Sequence, residues 1–355
     1  MNIIRLKKLL DPEISVLSSI LRKKIESNLI IADVGSSGLP PEEFFPIFEK
    51  TNFHCFDADN RAKKSSSPNI IFHNKGLFSS DDEKKIFLTQ MPDASSLYEP
   101  NKNFLDKFLN ANASDIGNEE KIKLTTLDSV FNKNEKIDFL KVDVEGADLE
   151  VIRGGEKSLS DCLGIKIEVQ YKERNIGSPL FSEIDAYLRK SYFLLELKNS
   201  SWLKTKTYFI NSNPEIIWGD AYYLKNEESF LNSYSLKKYQ DRKKFLLNYI
   251  IVGCLLGAHD HLVYFLNNYF NKLDISEVEK NNYIKGITSS RKNLTIQTFI
   301  SIFVSCSFPF FYLLFFPNKF LRMKFSLYLR KNITYLGKVL IYLSRNLNDG
   351  TIFKN

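Results

Sequence analysis

The chain is poor in the residues that build metal clusters and disulfide frameworks: its 355 residues include four cysteines and four histidines. Cys55, Cys162, Cys254 and Cys306 lie far apart with no C-x-x-C spacing, so zinc-ribbon, redox-motif and disulfide-stapled classes drop out, and the thiols read as reduced and buried. His259 and His261 sit two apart, and on a helix such positions diverge by about 200°, too far to share one ion readily. No apolar run follows the opening Met1-Asn2-Ile3-Ile4-Arg5 closely enough for a signal peptide, and a cytoplasmic protein is expected. No internal repeat is present, and no G-x-G-x-x-G dinucleotide fingerprint.

What the chain has is a 43% hydrophobic composition, ample for a core, and an uneven charge. Residues 226–355 hold 18 Lys and Arg against 8 Asp and Glu, while the remainder is slightly acidic. This asymmetry suggests that only the tail meets an anionic surface. Three regions are expected: an amphipathic helix within 1–28, with Ile14, Leu17, Leu21 and Ile25 on one face; an α/β domain over 29–226; and a basic, hydrophobic α-helical region over 227–355.

Within the middle region, short apolar segments near Leu29–Val34, Phe53–Asp57, Asn69–Phe72, Phe139–Asp143 and Gly164–Gln170 are mostly separated by stretches able to hold a helix. That grammar predicts a parallel, doubly wound sheet. Tyr192–Leu197 and Ala221–Leu224 could close one edge, giving about seven strands. The stretch Asn110–Glu120 reads as loop-rich.

The first strand ends in Asp33-Val34-Gly35-Ser36-Ser37-Gly38, an acid followed by two glycines three apart. Such glycines let backbone approach a ligand, and the strand-end carboxylate can reach an ammonium or hydroxyl group. Pro40 and Pro41 lead into an acidic helix start at Glu42 and Glu43. The second strand ends at Asp57, where nucleoside-binding folds hydrogen-bond ribose, and Asp59 could exchange roles with it. A nicotinamide-dependent oxidoreductase is the alternative, but Ser37 and the surrounding acids disfavour a diphosphate; a non-catalytic scaffold is a third reading. The candidate cofactor-binding set is Asp33, Gly35, Ser36, Gly38 and Asp57.

The most specific block is Lys141-Val142-Asp143-Val144-Glu145-Gly146, which continues through Asp148 to Arg153-Gly154-Gly155 and is preceded by Thr126-Leu127-Asp128. It closely resembles the signature of the FkbM family of methyltransferases, and the likeness extends over roughly residues 29–226 with Ser95-Ser96-Leu97 and Ile165-Lys166-Ile167-Glu168. The resemblance implies a Rossmann-like class I methyltransferase fold, S-adenosyl-L-methionine as cofactor, and O-methylation of sugar or natural-product hydroxyls. Two departures keep the charge: Asp57-Ala58 stands where the family commonly has Glu-Pro, and Asp148 replaces the usual Glu.

Strand alternation places Lys141 and Asp143 on one face, and a Lys141–Glu168 pair across the sheet is expected to relieve the burial of the lysine. Asp143 and Glu145, emerging at the carboxyl end of the strand, are the candidate catalytic residues, acting either as the base for an acceptor hydroxyl or as a clamp. With Glu168 they are of a ligand type that Mg²⁺ accepts, but no tight spacing forces a metal and none is assigned. His54 and His73 read as structural, His73 being a weak base candidate.

Leu294–Phe316 is a run of 23 residues without a charge, long enough to span a bilayer. A span would export the basic tail, against the positive-inside tendency, so a re-entrant or interfacial hairpin at the cytoplasmic membrane face is expected, with residues 291–345 as the membrane-contacting surface. A buried helical hairpin is the competing arrangement. The expected partner is a small-molecule or glycan acceptor; nucleic acid is not expected, because no binding module accompanies the charge.

Overall fold

A computed structural model of the chain describes residues 17–290, apart from 37–39, 62–66, 110–114, 132–135 and 205–213. Ten strands are present among them: β1 (Leu29–Val34), β2 (Thr51–Phe56), β3 (Ile70–His73), β4 (Gly76–Leu77), β5 (Asp82–Thr89), β6 (Ile116–Thr125), β7 (Phe139–Val142), β8 (Gly164–Gln170), β9 (Tyr192–Trp202) and β10 (Glu215–Lys225). Seven form one sheet in the order β3-β2-β1-β7-β8-β10-β9, in which β10 alone runs against the direction of the other six. These are the seven segments legible in the sequence. The chain order reverses between β1 and β7, so the carboxyl ends of those strands open a crevice where α/β sheets receive ligands. The fold is thus Rossmann-like, a seven-stranded and mainly parallel α/β sheet with helices at its C-terminal side of the sequence.

Alternation along the strands feeds two cores. Ala32, Val34, Leu140, Val142, Ile165 and Ile167 pack on one face with Leu149 and Ile152 from helix α1 (Asp148–Arg153) and Ile184 and Leu188 from α2 (Phe181–Leu188). Leu29, Ile31, Phe53 and Phe139 pack on the other with the helices that follow the sheet: α3 (Glu227–Ser235), α4 (Tyr239–Leu255), α5 (His259–Asn268) and a helical stretch at 277–290. Every residue of α4 from Phe245 to Leu255 is buried, which is why that segment is free of charge and its one amide, Asn248, is hydrogen-bonded to Asp138. A boundary at residue 226 therefore divides elements that share one core.

Three strands carry no signal in the sequence. β4, β6 and β5 form a second sheet in that order, and β6 takes in residues 116–120 of the stretch expected to be loop-rich. One face of β6 is charged and polar, the other mixes Ile116, Ile122 and Leu124 with Asn118 and Glu120, and only Leu124 is buried, so its period-2 stripe is short. The acidic helix start at Glu42 and Glu43 opens a 3₁₀ segment, Glu42–Lys50, kinked at Ile47 and carrying Pro46 inside it. At the N-terminus the expected amphipathic helix is, among the described residues, the single turn Ser19–Arg22, with Leu17, Leu21 and Ile25 buried as anticipated. Among the described residues no helix is long and apolar enough to cross a membrane. The charge-free run Leu294–Phe316, the basic tail and Gly38 lie outside the described residues.

Candidate active site

A cavity of about 840 Å³, open mouth included, lies over the carboxyl ends of β1, β2 and β7. Gly35, Asp57, Asp143 and Glu145 line its sheet side; Leu77, Ile86, Ile122 and Leu124 from the small sheet cover it; Ser95, Ser96 and Leu97 close a third wall. An apolar cover above a carboxylate-bearing floor suits a ligand with a flat aromatic end and a cationic, hydroxylated end.

Gly35 takes φ +75°, and a Cβ there would lie 1.8 Å from the Asp143 carbonyl oxygen. The turn after β1 thus meets the end of β7 backbone to backbone, which only glycine allows. Asp57 follows β2 at the cavity wall, and burial pushes its carboxyl up to about 6. Its Oδ1 accepts the Asp59 backbone N–H at 2.8 Å. Asp59 instead pairs with Arg61 at 2.6 Å, so Asp57 is the acid of the two that has no ion-pair partner among the described residues.

Lys141 behaves differently from expectation. It does not pair with Glu168: its ammonium lies 3.3 Å from Asp33 and 3.4 Å from Asp143 and donates to the Gly35 carbonyl at 2.7 Å. The reason is register, because Lys141 stands directly opposite Lys166 across β7–β8, and repulsion favours the Asp33 side. Burial opposes the lysine's charge, but Asp143 and Asp33 outweigh it and hold its pKa above the ordinary value. Lys166 is in turn taken by Glu43 at 3.2 Å, so Glu43 serves an ion pair as well as a helix start.

Glu168 pairs with Arg174, whose Nη1 donates at 2.9 Å while Nη2 donates to Glu145 at 2.8 Å. The carboxylate oxygens of Asp143, Glu145 and Glu168 come within 4.8 Å of one another, close enough for a shared cation, but Arg174 already supplies a positive charge to two of them. Burial pushes the Glu145 carboxyl up to about 7, with Arg174 opposing. Glu145 also takes φ 55°, the one positive φ outside glycine among the described residues. Its carbonyl oxygen is held there by Ser96 Oγ at 2.6 Å and Asn175 Nδ2 at 2.7 Å. Asp148 completes the loop by accepting the Val144 and Gly146 backbone N–H groups at 3.2 and 2.9 Å.

Of the residues singled out in the sequence, Gly35, Asp57, Asp143 and Glu145 meet at the cavity. Asp33 and Ser36 are each 1% exposed and lie behind its wall. His54 and His73 stack on each other with their nitrogens 3.1 Å apart, away from the lining. Asp128 clamps the Lys157 and Ser158 backbone N–H groups, which gives the Thr126-Leu127-Asp128 motif a structural role. Arg174, Asn175 and the cover residues Ile86, Ile122 and Leu124 carried no sequence signal, because loop closure and the unmarked small sheet bring them in.

Residues 59–195 match the family model described as the methyltransferase FkbM domain. That span begins at Asp59, ends inside β9 and contains Asp143, Glu145, Asp148 and Glu168. No curated protein matches the chain.

Proposed function

Taking as premise that the chain is a methyltransferase carrying an FkbM domain, we propose that it uses S-adenosyl-L-methionine to methylate a hydroxyl group of a sugar, glycan or related natural product. The observation that carries this is the meeting of Gly35, Asp57, Asp143 and Glu145 around one cavity at the sheet's switch point. The lining fits the cofactor: Asp57 is placed to accept ribose hydroxyls, Leu77, Ile86, Ile122 and Leu124 to enclose a base, and the acid cluster to face cationic groups.

Asp57 and the acid cluster would hold the cofactor, which when bound would supply an electrophilic methyl group on a positively charged sulfur that can leave as a neutral thioether. The protein's share is to align the acceptor and take its proton. Glu145, with its carboxyl raised to about 7 by burial, is suited to receive a proton near neutral pH, and Asp143, whose side chain is 39% exposed, is placed to orient the hydroxyl. The acceptor reaches the protein in the cytoplasm, and the basic segment 291–345 brings the enzyme to an anionic membrane surface, a proposal supported by its charge and by the uncharged run beside it.

Calorimetry with S-adenosylhomocysteine and with NAD tests the cofactor, and transfer of labelled methyl groups to a panel of neutral sugars tests the acceptor. Binding of S-adenosylhomocysteine alone is expected. Binding of NAD in its place would overturn the assignment in favour of an oxidoreductase.

A further inference from the structure

Arg174 is a charged residue at the heart of the site that no sequence motif assigns a role. It lies in the loop after β8 and is 7% exposed. Its two terminal nitrogens are committed to Glu145 and Glu168, and Trp202 and Trp218 lie 5.3 and 5.9 Å from the guanidinium carbon. Two carboxylate bonds and two neighbouring indoles hold this planar guanidinium in place. The neighbouring Asn175 holds the Glu145 carbonyl, so one loop grips both the side chain and the backbone of that residue.

Glu145 needs that grip. It is faced by Asp143 at the end of β7, Asp148 at the head of α1 and Glu168 on β8, all acids, and Arg174 is the one cation bonded to it among the described residues. Its positive φ is a conformation that a non-glycine side chain keeps only where the surroundings enforce it. Stability is a weak reason for the arrangement, since buried ion pairs roughly break even against apolar packing. What the arrangement achieves is a Glu145 carboxyl bonded to a single fixed cation at the cavity wall.

We propose that Arg174 is the positioning residue of the methyl-transfer site, holding the Glu145 carboxylate ionised and turned toward the point of transfer. This rests on the S-adenosylmethionine assignment made for the cavity. Burial drives the Glu145 carboxyl upward and Arg174 is the largest opposing influence. Without the guanidinium, Glu145 would keep its proton at neutral pH and present no charge.

Sinefungin, which carries an ammonium group in place of the transferable methyl, probes that charge directly when compared with neutral-sulfur S-adenosylhomocysteine. With full-length protein at pH 7.5, calorimetry is expected to show sinefungin bound about tenfold more tightly, the size of one well-placed charge interaction. Arg174→Met and Glu145→Gln should each bring the ratio near one while S-adenosylhomocysteine still binds, and Arg174→Lys should retain most of it. A salt bridge with a purely structural role would leave the ratio unmoved. If Arg174→Met does not fold, the Lys variant decides: its preference for sinefungin must disappear at a higher pH than in the wild type. An unchanged ratio in Arg174→Met, an unchanged pH dependence in the Lys variant, or a wild-type ratio near one would each overturn the role of Arg174. Wild-type protein that binds neither ligand would overturn the cofactor assignment itself.

Discussion

At Gly35 the backbone of the first turn touches the end of β7, and the left-handed φ and the 1.8 Å clash distance act together. Gly35→Ala is expected to cost about 2–4 kcal/mol, because both the conformation and the space reject a Cβ. Urea denaturation reads this directly, and an unchanged midpoint would mean that the two strands can part without loss. Asp57 makes a different demand. Its carboxyl is raised to about 6 by burial, and the ionised form accepts hydroxyl donors on both oxygens and more strongly than the protonated one. Affinity for S-adenosylhomocysteine should therefore weaken as pH falls from 7 to 5, and Asp57→Asn should flatten that limb and weaken binding at pH 7.5 about tenfold. Calorimetry across this range settles it; a pH limb that survives in the Asn variant would remove Asp57 from the ribose. Both residues were legible in the sequence because strand ends and tight turns announce themselves locally. Arg174 was not, since its partners Glu145 and Glu168 lie 29 and 6 residues away and nothing in the local pattern links them.

Among elements, the helices after residue 226 have most to say about stability. Phe230 on α3 is 0% exposed and stacks on Phe245 and Tyr249 of α4 while meeting Phe265 of α5 edge-on. One ring thus joins three helices, and Asn248 of α4 donates to Asp138, whose other oxygen accepts the Ile30 N–H at the start of β1. Phe230→Ala should destabilise by about 3–5 kcal/mol through the cavity it leaves, read as a fall in denaturation midpoint. A shift under about 1 kcal/mol would indicate that the helices pack independently of the sheet. The apolar pattern of these helices was plain in the sequence. That it covers the sheet was not, because periodicity gives a buried face without its partner. The small sheet was invisible for the opposite reason: β5 and β6 pair through backbone hydrogen bonds and bury only Ile86, Thr89 and Leu124 between them.

For the molecule as a whole, buried acids shape the response to pH. Burial raises Glu145 to about 7 and Asp148 to about 6, so the folded state binds these protons more tightly than the unfolded chain. Their contribution to stability is full below the unfolded carboxylate pKa and is lost as pH rises through those folded values. The melting temperature of the ligand-free protein should thus fall between pH 5.5 and 7.5, and Glu145→Gln should flatten that slope. An identical slope in the variant would show that folding does not raise the Glu145 carboxyl. The basic tail makes a separate prediction: full-length protein should sediment with vesicles containing anionic lipid and be released as salt is raised. Failure to bind such vesicles at low salt would remove the membrane from the account.

The seven principal strands, the strand-end acids and the glycine turn were determined by the sequence alone, because each depends on contacts between residues close in the chain or on a side-chain period of two. Tertiary structure decided which acids act together. The register of β7 against β8 turned Lys141 toward Asp33 in place of Glu168, and the loop after β8 then delivered Arg174 to the vacated carboxylate. Electrostatic partners are chosen by distance in space, and a parallel sheet fixes that distance only once its strands have paired.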